Sequence, residues 1–259
     1  METFFDSIFY FPEEVSRLAG FFVIGISFFT SFITAAFGIG GGIIMVAVLA
    51  VLLPPAALIP VHAVVQIGSN LGRAAVLWKH LEIRFLIPFF IASAVGVAIG
   101  GVISVNIPPA FVLAGLAIFI LWSVFGRMPQ LGGKSLVAGG VISAFLTMFF
   151  GATGMFIAAM VKSMKVPKLQ HVGTHGLMMG WQHLLKFIAF GMLGFAYGPY
   201  IPLMIFTIIS GQLGTIVGKH MLTKIDDALF QKILSGILTV LAIRMLWQAA
   251  EMHFGYSLF

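Results

Sequence analysis

The sequence predicts an all-α integral membrane protein built from two inverted-topology helical repeats with glycine-broken helices, and three observations predict it. The first is composition. Of 259 residues, 60% are hydrophobic and 8% charged, with a mean hydropathy of +1.11, which leaves too little polar surface to cover a soluble globule. The second is an internal repeat. Sliding the chain by 113 positions, the distance from Phe32 to Phe145, lays Phe32–Gly41 over Phe145–Gly154 without a gap. The register then holds, so that Pro54 meets Pro167, His62 meets His175, Leu71 meets Leu184 and Arg73 meets Lys186. In so apolar a chain the weight rests on the rarer types: proline, histidine, paired glycines and an intramembrane cation. The third is the charge of the connections, which reverses from one copy to the other.

Taken in order, residues 1–16 are acidic and aromatic, with neither a basic n-region nor a small-residue cleavage site. They are expected to form a short amphipathic lead-in that stays attached. Crossing hydrocarbon takes about 20 apolar residues per helix. Such runs occupy 18–37, 58–78, 85–104, 108–126, 199–218 and 228–250, and the alternating strands of a β-barrel are not seen. The first repeat is placed at 17–126, a cytoplasmic linker at 127–134, the second repeat at 135–250 and a tail at 251–259. Eight to ten transmembrane segments are expected. The glycine-marked pieces read either as a full helix plus a tilted short one or as a re-entrant hairpin.

Pro54–Pro60, Ser104–Pro109 and Gly191–Pro202 carry no charge, whereas Lys79–Arg84, Arg127–Lys134, Lys162–Lys168 and Lys219–Lys232 are basic. Placing the basic connections in the cytoplasm puts both termini outside. Equivalent connections disagree: Pro54–Pro60 is bare and its counterpart around Lys162–Lys168 is basic, while the order reverses after Arg73 and Lys186. The repeats are therefore expected to lie antiparallel, as in secondary transporters. Basic loops also account for the net charge of +6, so nucleic acid is not an expected partner. The absence of cysteine removes disulfides and thiolate metal sites, and no cofactor is expected. Small-residue faces such as Gly96, Gly100 and Gly101 pack helices within one chain or, in a homodimer, between chains.

The candidate site starts at the glycines. Gly38, Gly40, Gly41 and Gly42 interrupt an apolar run, and broken backbone at membrane depth is tolerated only where it is buried or lines a wet cavity. The short helix that follows presents free N–H groups and a positive dipole end, which suit an anion. Gly38 and Gly41 recur as Gly151 and Gly154. Next, His62, Gln66, Asn70 and Arg73 share one helical face, and His175, Met179, His183 and Lys186 form the equivalent stripe, with Gln182 beside it. Such a stripe is expensive in lipid and by default faces a pathway. Snorkelling toward an interface is the competing reading for the two cations.

The eight carboxylates are Glu2, Asp6, Glu13, Glu14, Glu82, Asp226, Asp227 and Glu251, all expected in termini or loops. Arg73 and Lys186 therefore lack an acidic partner, and a bound small anion is the economical counter-charge. Histidine is the side chain left to titrate near neutrality. Thr34 and Thr147, four residues before the matched glycines, either donate hydroxyls to the same point or bond their own helix. Trp78, Trp122 and Trp247 read as interfacial anchors, and Trp181 as a wall of the site.

The Phe-Gly-x-Gly-Gly-Gly run at Phe37–Gly42, a second glycine pair after a central loop, and a polar-bearing helix after each resemble the sulfite exporter TauE/SafE family over 18–250. The resemblance implies a bacterial inner-membrane permease that exports sulfite, sulfoacetate or a related sulfonate, and no enzymatic activity. On that reading Arg73 and Lys186 supply positive potential, while Asn70, His183, Gln66, His175 and His62 contact the anion. The Gly40–Gly42 helix end, with Gly154, completes the cradle. Two alternatives stay open. One is an anion channel of the same architecture. The other is an intramembrane enzyme, for which Ser69 lacks a Gly-x-Ser-x-Gly elbow and His175 with His183 lacks a carboxylate ligand.

Overall fold

A computed structural model describes residues 10–84, 86–104, 107–126, 136–151, 153–221 and 227–255. Most of the lead-in, the whole of the 127–134 linker and the end of the tail lie outside the described residues. So do Glu2, Asp6 and Asp226. The described residues form ten α-helices and no strand. They are α1 (Arg17–Phe37), α2 (Gly41–Leu52), α3 (Pro55–Val76), α4 (Leu86–Ser104) and α5 (Pro109–Phe125), then α6 (Leu136–Phe150), α7 (Gly154–Ser163), α8 (Lys168–Met192), α9 (Ile201–Lys219) and α10 (Asp227–Phe254). In each group of five the second helix is the shortest, with 12 residues in α2 and 10 in α7.

Local chemistry sets these boundaries. The Ser16 hydroxyl accepts from the Ala19 amide at 3.2 Å and starts α1. Pro54 and Pro167, matched by the slide, both occupy the position before a helix, with ψ of 140° and 156°. Proline there has no N–H to leave unsatisfied. Gly38 and Gly151 take φ of +87° and +65°, and their amides close α1 and α6 on the Thr34 and Thr147 carbonyls. Glycine enters that left-handed region without the Cβ penalty. Both helices are therefore stopped at the same repeat position for the same reason.

By length and composition, three helices are long and apolar enough to cross a membrane: Arg17–Phe37, Leu86–Ile103 and Gly198–Lys219. Their outward faces are apolar, as Leu18, Phe29, Ile87, Ile91, Ile205 and Ile209 are exposed, which suits contact with lipid. α3 and α8 are as long, at 22 and 25 residues, but their polar stripes lower the hydropathy. α2 is apolar all round and lies inside. Its Met45, Val46, Ala47 and Leu49 are fully buried, in the largest core cluster with Leu58, Leu113, Leu116 and Ile120.

The helices pair in a reciprocal pattern. α1 packs on α9 and α4 on α6, so the first helix of each five lies on the fourth of the other. The third helices, α3 and α8, pack together, as do the fifth, α5 and α10. Glycines permit the close approaches: Gly214 and Gly218 meet the backbone of Phe28 and Phe32, and Gly96 meets the Val141 carbonyl. Gly96 and Gly100 thus pack α4 on α6 within the chain.

The connections sort by charge in space. Uncharged ones surround a cavity of about 400 Å³ that includes Pro55, Ile107, Pro109, Leu193 and Phe195. At the other end, the basic segment after α3 lies on the start of α8, where the Glu82 amide donates to Thr174 Oγ1 at 2.9 Å and Leu77 and Leu81 flank Gly173. Lys219 joins them by donating to the Val76 carbonyl at 3.5 Å.

Two carboxylates differ from the sequence expectation. Asp227 begins α10 rather than lying in a loop. Glu251 is not in a tail but in the last turns of α10, where it accepts from Trp247 Nε1 at 2.8 Å and lies 3.9 Å from Arg244. Side-chain pairs four and seven residues apart extend the helix past the apolar run.

Candidate functional site

The α1–α2 and α6–α7 breaks come together beside the packed pair α3 and α8. Between them is a cavity of about 30 Å³, room for about two waters. Its walls include Gly40, Gly42, Gln66, Asn70, Gly154, His175 and Thr34, together with Ile39, Ile43, Gly151, Met155 and Met179. Arg73 bonds Asn70 and His175 of these walls, and Lys186 bonds Thr147, whose carbonyl also accepts from the wall residue Gly151; Arg73, Lys186, Thr147, His62 and His183 do not themselves line the cavity. Both cations are buried, with 1% and 0% exposure, so neither snorkels.

Arg73 belongs to a closed cluster. Its Nη2 donates to Asn70 Oδ1 at 2.6 Å and contacts His175 Nδ1 at 3.3 Å. A guanidinium only donates, so Nδ1 is the acceptor and the ring proton is on Nε2, which donates to the Gly154 carbonyl at 2.9 Å. Asn70 is held in turn, its Nδ2 donating to the Gln66 carbonyl at 2.8 Å. Arg73 Nε and Nη1 have no partner among the described residues. The cluster joins the first repeat's cation to the second repeat's histidine and glycine break.

The 113-residue shift carries this cluster onto Lys186, with His183 in place of Asn70 and His62 in place of His175. His62 Nε2 meets the Gly42 carbonyl at 3.2 Å, as His175 meets Gly154. The carbonyl only accepts, so Nε2 donates and Nδ1 carries the lone pair. The rings of His62 and His183 meet edge to face with centroids 5.4 Å apart. Unlike Arg73, Lys186 turns away, donating to the Thr147 carbonyl and hydroxyl at 3.4 Å each. His62 Nδ1 and both nitrogens of His183 have no partner among the described residues. Beside that Nδ1 is Gly151, where an added Cβ would come within 3.1 Å of it.

No carboxylate among the described residues bonds either cation. Each charge is held instead by neutral oxygens and, for Arg73, an imidazole nitrogen. A central cation costs about 2.5–3.5 kcal/mol on insertion scales, so both charges are expensive where they stand.

Two of the expected residues face elsewhere, and the hydroxyl of a third is taken up by its own helix. Trp181 Nε1 donates to the Phe90 carbonyl at 3.0 Å and its ring lies against Phe90, so it fastens α8 to α4 outside the cavity. Gly41 meets the Thr30 carbonyl so closely that a Cβ would collide with it, which makes it a packing position of α2 on α1. Thr34 lines the cavity, yet its hydroxyl is occupied by the Thr30 carbonyl at 2.9 Å. Of the walls that the sequence did not single out as binding residues, Gly151 carried a signal through its match to Gly38. Ile39, Ile43 and Met155 carried none, since an apolar residue that lines a cavity has the same chemistry as one that fills a core.

No match is found among curated proteins or among solved structures. A family model described as Sulfite exporter TauE/SafE matches residues 23–245, a span that holds both glycine breaks, the cavity, both cations and all the histidines around them. The chain belongs to the sulfite exporter TauE/SafE family, and is therefore a multi-pass membrane transporter rather than an enzyme.

Proposed function

We propose that this transporter moves a small organosulfur anion, such as sulfite, sulfoacetate or a related sulfonate, out of the cytoplasm across the bacterial inner membrane by alternating access of two inverted repeats. One observation carries the reading: two buried cations, neither bonded by a carboxylate among the described residues, bond to the helices that wall the cavity at the two helix breaks. Two cations in low dielectric are costly until a negative charge joins them. The N-termini of α2 and α7 add their dipoles at the same point.

Inversion is supported by packing and charge together. The reciprocal pairing of first with fourth helices is what a two-fold relation between the halves generates. The gathering of uncharged connections at one end and basic ones at the other supports a cytoplasmic basic face, with both termini outside. Alternating access then parts the walls of the small cavity toward one end at a time. The 400 Å³ apolar cavity at the uncharged end, bounded inward by Met148 and Phe149, serves as the exit vestibule.

The test is ligand-dependent thermal stabilisation of the purified protein with sulfite, sulfoacetate, taurine, sulfate and acetate. A bound ligand stabilises by about 2.7 kcal/mol at 100 times its Kd. Sulfite or sulfoacetate is expected to raise the melting temperature in a concentration-dependent way, with acetate giving the smallest shift. A flat response to every anion overturns the reading. Counterflow and substrate saturation in proteoliposomes separate this carrier from a channel of the same architecture.

A further inference from the structure

The Lys186 half-site holds more unpartnered nitrogen than an anion alone requires. A fully ionised sulfonate only accepts hydrogen bonds, yet His62 Nδ1 is itself a buried acceptor. Its ring is fixed in that state, because Nε2 is committed to the Gly42 carbonyl. His183 offers one donor and one acceptor nitrogen, both unpartnered. The positive-φ Gly151, which lines the cavity, sits beside His62 Nδ1, where even an added Cβ would come within 3.1 Å of it. An acceptor in that position is completed by a proton.

We propose that the His62–His183–Lys186 cluster is a proton site that fills only together with the anion, so that one proton crosses with each anion in the same direction. The inference rests on the anion-transport reading. The added proton takes the lone pair of His62 Nδ1, which becomes an N–H that donates to the anion, and the bond from Nε2 to Gly42 is kept. No covalent bond of the anion changes.

The coupling follows from the surrounding charges. The charged and titratable groups nearest along these helices are Lys186, three residues on from His183 in α8, and the Arg73–His175 pair of the other cluster. Among the described residues, α2, α6 and the break after α6 bring Gly42, Val46, Thr147 and Gly151 here, none of which titrates. An imidazolium among two cations without an acid is disfavoured until an anion arrives, and the anion is held better once a third donor exists. Each ligand therefore raises the affinity for the other, a reciprocity that thermodynamic linkage requires. The Arg73 half-site has no such role, because the guanidinium already supplies the donor for His175 Nδ1.

The experiment uses the full chain in proteoliposomes with a lumenal pH indicator, the membrane potential clamped, and an inward gradient of methanesulfonate. This anion is a strong acid's base and brings no proton of its own. Wild type is expected to acidify the lumen by about one proton per anion moved. Anion entry with no pH change, or with alkalinisation, overturns the proton site and leaves the transport reading standing. No anion entry at all overturns both. In His62→Gln, which keeps a donor for Gly42 and cannot carry the proton, the ratio of protons to anions is expected to fall at least tenfold in whatever flux remains. An unchanged ratio overturns the assignment. Should that variant not transport, calorimetry of methanesulfonate binding to wild type in buffers of different ionisation enthalpy decides. Proton uptake on binding and an affinity that falls as pH rises are expected, and binding without proton uptake overturns the proposal.

Discussion

The Arg73 and Lys186 half-sites are built from positions related by one shift along the chain, yet only in the first does the cation bond the neighbouring side chains of the stripe and of the other repeat. In both, the histidine bonds the carbonyl of its own glycine break, but only Arg73 also bonds the histidine of the other repeat. The difference comes from two residues. Asn70 offers a carbonyl oxygen to Arg73 while its amide is anchored on the Gln66 carbonyl. His183, at the equivalent place, makes neither bond, and Lys186 turns to Thr147. Arginine presents a planar fork that reaches two acceptors at once, whereas lysine is a point charge on a flexible stem. Equivalent positions thus differ in bonding: Arg73 is linked to Asn70 and His175, whereas His62 Nδ1 and both His183 nitrogens have no partner among the described residues.

The largest expected effect comes from removing each cation without changing its bulk. Lys186→Met is expected to weaken anion binding and transport about 10- to 150-fold, the worth of a charge-assisted bond of about 1.5–3 kcal/mol. It should also raise the stability of the ligand-free protein by up to about 1–4 kcal/mol, because an uncompensated buried charge disappears. Arg73→Met is expected to impair transport as strongly without that gain, since it leaves Asn70 Oδ1 and His175 Nδ1 buried without their donor. Sulfonate flux and denaturation of the ligand-free proteins measure the two effects. If both variants gain stability equally, the half-sites are energetically equivalent and the comparison collapses.

A smaller effect is expected at the glycine caps. Gly151→Ala forces a side chain into a left-handed conformation, at a cost of about 1–2 kcal/mol, and places its methyl beside His62 Nδ1. Gly38→Ala imposes the same strain but meets Val172, away from either cation. Both should lower stability by a similar amount, and only Gly151→Ala should also blunt the stabilisation that sulfite or sulfoacetate gives. Equal blunting would sink the idea that ligand enters on the Lys186 side.

The sequence made much of this legible, and where it stopped has a physical reason. Proline and glycine act through backbone dihedrals, so Pro54 with Pro167 and Gly38 with Gly151 announced matching helix starts and stops from identity alone. The stripes on α3 and α8 were visible because polar residues in an apolar span have few structural uses. Orientation about a helix axis was harder: Gln182 and Trp181 neighbour the stripe, but they turn to Ser93, Ser143 and Phe90. The pairing across repeats was beyond reach. Nothing in the spacing of Arg73 says that its partner is 102 residues away at His175, because that contact is made by the packing of α3 on α8.

The smallest effect, and the sharpest use of the comparison, is to rebuild the Lys186 half-site in the image of the Arg73 one. His183→Asn places a side-chain carbonyl three residues before Lys186, the relation that Asn70 has to Arg73. The ammonium then gains an acceptor beyond the two of Thr147, and a hydrogen bond to a charged group contributes about 1.5–3 kcal/mol at most. Lysine must fold back to reach the oxygen, so about 0.5–1.5 kcal/mol of added stability is the reasonable expectation. Because an internal acceptor now competes with the anion for the same cation, affinity should drop by a similar free energy, about 2- to 10-fold. Stability and affinity must move in opposite directions here, whereas loss of a purely structural histidine lowers both. Thermal denaturation of the variant with and without sulfoacetate reads the two signs, and a joint fall would show that His183 supports the fold rather than leaving Lys186 available to the anion.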